Sequence, residues 1–258
     1  MALVGWAYWT AIADPVVREL ELAPPRWPAD APQIRALLIS DIHASPPDMT
    51  PRRLGRIVAQ INALDPDIVL IAGDFLSEKW VTLTPPEEAV APLRDLRARL
   101  GVYAVLGNHD HWIDGAGVRR ALARARVRLL TNEAVRAGPL VIGGLDDAFT
   151  GHDNLGRTLA AMRALPGARV LLSHSPDPFP ALPPDITLML AGHTHCGQIR
   201  LPLIGAPRTM SAYGQRYACG EVRENRRTLI VTAGLGTSAL PLRLGAVPDL
   251  WLIHLGPR

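Results

Sequence analysis

The chain has 258 residues, 48% of them hydrophobic and 20% charged, with a formal net charge of +3. That apolar content supports a full core and excludes a disordered chain. So small a charge gives no case for nucleic acid by itself.

The N-terminal stretch MALVGWAYWTAIA is apolar for 13 residues, short of the roughly 20 a bilayer span needs. It also lacks the basic start of a secretory signal. It reads either as a short helix packed on the body or, given Trp6, Tyr8 and Trp9, as a hook on a membrane surface. VVRELEL (16–22) alternates like an edge strand, and APPRWPADAP (23–32) is a proline-rich linker. Residues 1–32 are therefore expected as an N-terminal segment and 33–258 as one domain. Apolar runs at 34–40, 67–73, 102–107, 140–145, 168–173, 186–192, 228–234 and 250–255 predict strands. Helical patterns at 50–64, 87–99, 116–126 and 154–164 fall between several of them. Near-continuous apolar strands alternating with helices indicate α/β sheets covered on both faces. The later strands crowd together with fewer helices, which predicts a second or mixed sheet.

Polar residues follow these strands in a pattern. ALLIS runs into Asp41-Ile42-His43, IVLIAG into Asp74, YAVLG into Asn108-His109-Asp110, VLLS into His174, and LMLAG into His193-Thr194-His195. In open α/β sheets, ligands bind beyond the carboxyl ends of the strands. Residues two apart on a strand share a side, so Asp41/His43 and His193/His195 each project together. Gly73, Gly107 and Gly192 precede three of these groups, as sharp strand-to-loop turns require. Three or four imidazoles, two carboxylates and an amide oxygen are too many for one tetrahedral zinc. They suit two metals sharing a carboxylate. Mixed nitrogen and oxygen ligands fit manganese, iron or zinc, with magnesium less natural.

The ordered set D-x-H, G-D, G-N-H-D, a lone histidine and G-H-x-H, from Asp41 to His195, resembles the calcineurin-like metallophosphoesterases. The resemblance implies a four-layer α/β/β/α sandwich of two mixed sheets flanked by helices. It implies two divalent ions, one held by Asp41, His43 and His195 and the other by Asn108, His174 and His193, with Asp74 bridging. His109 would be catalytic, protonating the leaving oxygen. Two cations roughly 3.5–4 Å apart would clamp the phosphoryl group while a shared hydroxide attacks in line.

AGHTHCGQIRLP and TAGLGTSALPLRL further resemble a bacterial, often membrane-associated subgroup. It includes broad phosphodiesterases and UDP-2,3-diacylglucosamine pyrophosphatases of lipid A synthesis. That implies a phosphodiester or pyrophosphate substrate, lipid-linked in some members. Such members are often anchored or exported, but this chain opens with no twin-arginine signal and only an apolar stub, so a cytoplasmic or inner-membrane-peripheral location is expected, with export left open. A nuclease and a non-catalytic module on the same fold are the alternatives. The modest charge and the lack of aromatics in RRALARARVR (119–128) weigh against nucleic acid, and no ligand is missing as a lost activity would require. No protein partner is predicted.

Other residues read as structural. Cys196 and Cys219, the only cysteines, are too few for a disulfide framework and leave the compartment open; Cys196 is expected simply to pack. His111 reads as a solvated loop residue, Trp112 as loop packing or a stacking surface, and Asp110 as a brace for its loop. His152 is expected beside a helix start capped by the Asp-Asn after it, and His254 within the last strand. The glycine-rich loop 234–245, with Arg243, either edges the substrate pocket or simply packs.

Overall fold

The computed structural model describes residues 2–77 and 83–257; Lys79 lies outside them. The elements run, in chain order, α1 (Ala2–Ile12), β1 (Val16–Leu22), β2 (Ile34–Ile39), α2 (Pro51–Ala63), β3 (Ile68–Ala72), α3 (Pro86–Val90), β4 (Val102–Val105) and α4 (Asn108–Ile113). There follow α5 (Gly115–Arg124), β5 (Arg128–Leu129), β6 (Glu133–Ala137), β7 (Leu140–Gly144), α6 (Leu155–Arg163), β8 (Ala168–Leu172), β9 (Leu188–Ala191), β10 (Gly220–Glu224), β11 (Arg227–Val231) and β12 (Asp249–Leu255).

Two six-stranded mixed sheets result, ordered β1-β12-β2-β3-β4-β5 and β10-β11-β9-β8-β7-β6. The central strands of each are parallel, and antiparallel pairs lie nearer the edges. Alternation along the strands explains the layering. Ile34, Ala36 and Leu38 of β2, with Ile68 and Leu70 of β3, face Ile142, Val170 and Leu190 of the other sheet in one core. Leu37, Ile39, Val69 and Ile71 point the other way, onto the apolar stripe Leu54, Ile57, Val58 and Ile61 of α2. Val141, Leu171 and Met189 cover the outer face of the second sheet with Leu159 and Met162 of α6. The four-layer sandwich is the expected one.

Helix starts follow local chemistry. Thr50 accepts from the Arg53 amide with Pro51 at the first turn of α2, Asp114 accepts from Gly117 at α5, and Asn154 accepts from Arg157 at α6. The helix expected over 87–99 is shorter: α3 ends at Val90 and tightens into a 3₁₀ turn at Ala91–Asp95, because Pro92 cannot donate to a continuing α ladder. Three strands, β5, β6 and β10, lie outside the apolar runs; these are short or polar edge strands.

At the N-terminus α1 is a helix whose Ala7 and Ala11 are buried while Trp6 and Trp9 are 65% and 71% exposed. The Ala7 carbonyl accepts from the Arg243 amide, which ties the helix to loop 236–246. β1 pairs in parallel along the whole of β12.

Candidate active site

The seven expected ligand positions and His109 converge at the carboxyl ends of β2, β3, β4, β8 and β9. Asp41, His43, Asp74, His193 and His195 all have positive φ, between 46° and 71°. Such conformations cost non-glycine residues of order 1–3 kcal/mol each and persist only where surrounding structure enforces them. Close approach of neighbouring turns is part of that enforcement. A Cβ on Gly107 would fall 2.7 Å from the Asp74 amide nitrogen, and one on Gly73, whose φ is +83°, 2.9 Å from His174 Nδ1. Both positions therefore exclude any larger residue.

Backbone carbonyls fix the histidine tautomers. His43 Nδ1 lies 2.9 Å from the Leu76 carbonyl, His174 Nδ1 2.7 Å from that of Ala72, and His193 Nε2 3.0 Å from that of Met210. Each of these nitrogens must donate, since a carbonyl only accepts. The opposite nitrogens face inward. His174 Nε2 lies 3.0 Å from Asn108 Oδ1, 3.3 Å from Asp74 Oδ2 and 3.1 Å from His193 Nδ1. His43 Nε2 lies 3.4 Å from Asp74 Oδ2 and 3.0 Å from His195 Nε2, which is 3.3 Å from Asp41 Oδ1. Acceptors thus face acceptors, and positive charge is needed between them. The cluster could hold cations: donor atoms of Asp41, His43 and His195, of His43, Asp74 and His109, and of Asp41, Asp74 and His174 lie within 4.8 Å of one another in each group.

The electrostatics agree. Burial would raise the Asp74 carboxyl, but the charge and hydrogen bond of His174, with His43 and His109, hold it well below its ordinary range. Burial pushes Asp41 up to about 6, against the pull of His174. His174 is driven upward by Asp74 despite its burial. His193 falls to about 4 through burial and the charge of His174. Opposite charge beside Asp74 is what holds its carboxyl ionised against burial, so the cluster favours positive charge at that point.

Asp110 braces its loop as expected. One oxygen accepts from the Phe75 and Leu76 amides and the other from Asp74 and Gly107. His109 shares a face of α4 with Trp112, ring centroids 5.2 Å apart, and meets His43 edge-on at 4.8 Å. Its amide donates to Asp74 Oδ1. Its Nδ1 is buried with no hydrogen-bond partner among the described residues.

Several expectations are corrected. Cys196 does not merely pack: it forms a disulfide with Cys219, Cα atoms 4.6 Å apart. His111 is not a solvated loop residue; its Nε2 lies 2.8 Å from Asp146 Oδ1 and its ring stacks on His152 at 3.9 Å. Loop 234–245 does edge the cavity, through Ser238, Ala239 and Leu240, but Arg243 does not. It is fully buried behind His195, and its guanidinium donates to the Ala233 and Ala246 carbonyls. His254 sits in β12 beside Glu19, and Asn154 is the predicted cap before α6.

A cavity of about 380 Å³ opens onto the cluster. Its floor includes Asp74, Asn108, His109, His193 and His195, and its walls include Trp112, Ile199, Arg208, Met210 and Leu240. Arg208 and Met210, beyond the AGHTHCGQIRLP motif that carries Ile199, stand in a stretch with no motif of its own. The adjacent cysteines, 23 residues apart, were the one signal for it.

This four-layer sandwich, with histidine, aspartate and asparagine gathered at its strand ends, is the metallophosphatase fold. The family profile described as calcineurin-like phosphoesterase matches residues 34–197, and the chain belongs to that family. The transmembrane protein with metallophosphoesterase domain of Bos taurus is 32% identical over 93% of this chain and 57% of its own length. That of Danio rerio is 30% identical over 95% and 58%. The uncharacterized metallophosphoesterase YkuE of Bacillus subtilis (strain 168) is 32% identical over 84% and 77%. The chain therefore spans under three fifths of the two vertebrate relatives. Among solved structures, the NAD nucleotidase NadN of Haemophilus influenzae matches 80% of this chain and 46% of its own, with a TM-score of 0.53 at 15% identity. A 5'-nucleotidase precursor from Thermus thermophilus matches 86% and 55%, at 0.51 and 13%. These two likenesses concern the fold alone. No helix among the described residues is long and apolar enough to cross a membrane.

Proposed function

We propose that this protein is a two-metal hydrolase of phosphodiester or pyrophosphate bonds. The observation that carries the reading is the set of inward acceptors, His43 Nε2, His174 Nε2, His193 Nδ1 and Asn108 Oδ1, crowded around Asp74 and Asp41. Asp41, His43 and His195 would hold one divalent ion, Asn108, His174 and His193 the other, and Asp74 would be shared. Such ions supply charge opposite the phosphoryl oxygens and make water acidic enough to attack near neutral pH; manganese, iron or zinc suits these donors. The carbonyls of Leu76, Ala72 and Met210 keep three imidazoles in the ligating tautomer. His109 gives its proton to the leaving oxygen, and its place between His43 and Trp112 at the cavity supports that role.

The apolar walls support a substrate with a lipid-like organic group. The exposed Leu3, Val4, Trp6 and Trp9 of α1 support peripheral contact with a membrane. The Cys196–Cys219 disulfide favours an oxidising side of that membrane over the cytoplasm.

The test is metal analysis of the purified protein with manganese-dependent turnover of bis-p-nitrophenyl phosphate. Asp74→Asn is expected to lose metal and activity together. His109→Ala should keep its metal and lose about 10²–10⁴-fold in turnover. Full metal occupancy without turnover in the wild type would favour the non-catalytic alternative. Loss of metal in His109→Ala would refute the acid role.

A further inference from the structure

The polar side chains along the cavity are mostly committed. Gln198 donates to the Leu240 carbonyl and accepts from the Ser238 amide, and Thr194 donates to the Ala218 carbonyl. Arg208 is different. It is exposed, it is the only cationic side chain among the residues lining the cavity, and it has no carboxylate partner among the described residues. Among the described residues its side chain makes one hydrogen bond, Nε to Met210 Sδ, at 3.1 Å. From residue 186 to 220 the sequence holds Arg200, Arg208 and Arg216 and no aspartate or glutamate. Arg216 is already paired bidentately with Glu224, and Arg200 does not line the cavity.

The backbone at Arg208 is tied close to the cluster. Two residues on, the Met210 carbonyl accepts from His193 Nε2, so the Arg208 and Met210 Cα atoms lie at most about 7 Å apart. The neighbouring anchors are firm: Ser211 Oγ and the Ala212 amide both donate to Asp177, and Ala206 and Ile204 are held by Gln215. A guanidinium without a carboxylate partner among the described residues, on a wall whose other polar side chains are mostly hydrogen-bonded already, is matched to an anion, because its planar fork binds phosphate or carboxylate oxygens bidentately.

We infer that Arg208 is a specificity residue reading a second anionic group, set beside the scissile phosphoryl of the substrate. The inference rests on the hydrolase reading for its register, with the reacting phosphorus at the cluster. The enzyme then prefers compounds with two adjacent anionic groups over simple diesters, and Trp112, Ile199 and Leu240 receive the organic part.

The experiment compares metal-loaded wild type, Arg208→Gln, Arg208→Lys and, as a control on the same segment, Arg200→Gln. Two substrates are used: bis-p-nitrophenyl phosphate, and a pyrophosphate diester bearing p-nitrophenyl and alkyl groups. Binding of inorganic pyrophosphate and inorganic phosphate is measured by calorimetry. Arg208→Gln should lower the preference for the pyrophosphate diester, as a ratio of kcat/KM values, about tenfold, with the change in KM. It should weaken pyrophosphate binding relative to phosphate by a similar factor. Lysine should restore part of both, and Arg200→Gln should move neither. Equal losses on both substrates, or an unchanged ratio, overturn the assignment. A wild type that hydrolyses neither compound, yet binds pyrophosphate more tightly than Arg208→Gln, refutes the hydrolase and upholds the subsite.

Discussion

Asp41, His43, Asp74, Asn108, His174, His193 and His195 gather at and beneath the cavity floor from five strand-end turns, whereas much of the wall comes from one segment, residues 197–218. The floor is buried, and its imidazoles are oriented by backbone carbonyls. Its strained turns are held by two sheets whose cores meet directly beneath them. The wall segment contains little regular structure. It is fastened by a disulfide, by Asp177 and by Gln198. Chemistry that tolerates little misplacement sits on rigid elements, and the surface that meets variable substrate parts sits on a tethered loop.

The largest effect should come from breaking the floor without touching a donor. Gly107→Ala puts a methyl group against the Asp74 carboxylate and amide, so Asp74 must move. Metal content and turnover are expected to fall to background while the far-ultraviolet circular dichroism stays native. Retained metal would mean the floor is softer than its packing indicates.

The wall should fail differently. A Cys196→Ser/Cys219→Ser double variant opens a loop of 23-residue separation and should lose about 3 kcal/mol of stability in urea unfolding. Cleavage by protease within 197–218 should become faster. Its metal content should stay closer to wild type than that of Gly107→Ala; equal metal loss in both would erase the distinction between floor and wall.

The smallest effect sharpens the junction between them. Asp146 anchors His111 of α4 from the turn after β7. Burial would raise its carboxyl, but hydrogen bonds from His111 and the Asp147 amide, with the charge of Arg119, hold it below the ordinary value. A depressed folded pKa contributes stability above the unfolded pKa of about 3.9 and loses it as pH falls through the folded value. Asp146→Asn should therefore cost about 1–2 kcal/mol at pH 7. The gap in urea midpoint from wild type should close as the pH drops below about 4. A gap independent of pH would show that the contribution is not that of the ionised carboxylate.

Much of the floor was legible in the sequence because each donor follows an apolar run. Asp41, Asp74, Asn108, His174 and His193 stand where β2, β3, β4, β8 and β9 give out, and strand-end position is a local property. The edge strands β6 and β10 were not legible, since a half-exposed strand needs no apolar run. His111 illustrates another limit: its partner Asp146 is 35 residues away, and nothing near His111 announces it. Arg243 is similar, buried by carbonyls that only the folded loop brings around it.

Alternating apolar runs, glycine turns and the spacing of histidines and carboxylates determined the two-sheet architecture and which side chains gather at the strand ends, because both depend on periodicities of a few residues. Only the tertiary structure decided which carbonyl fixes each imidazole, that Cys196 finds Cys219, and that Arg208 faces the cavity. Those outcomes depend on contacts between segments distant in the chain, and no local pattern encodes the distance between them.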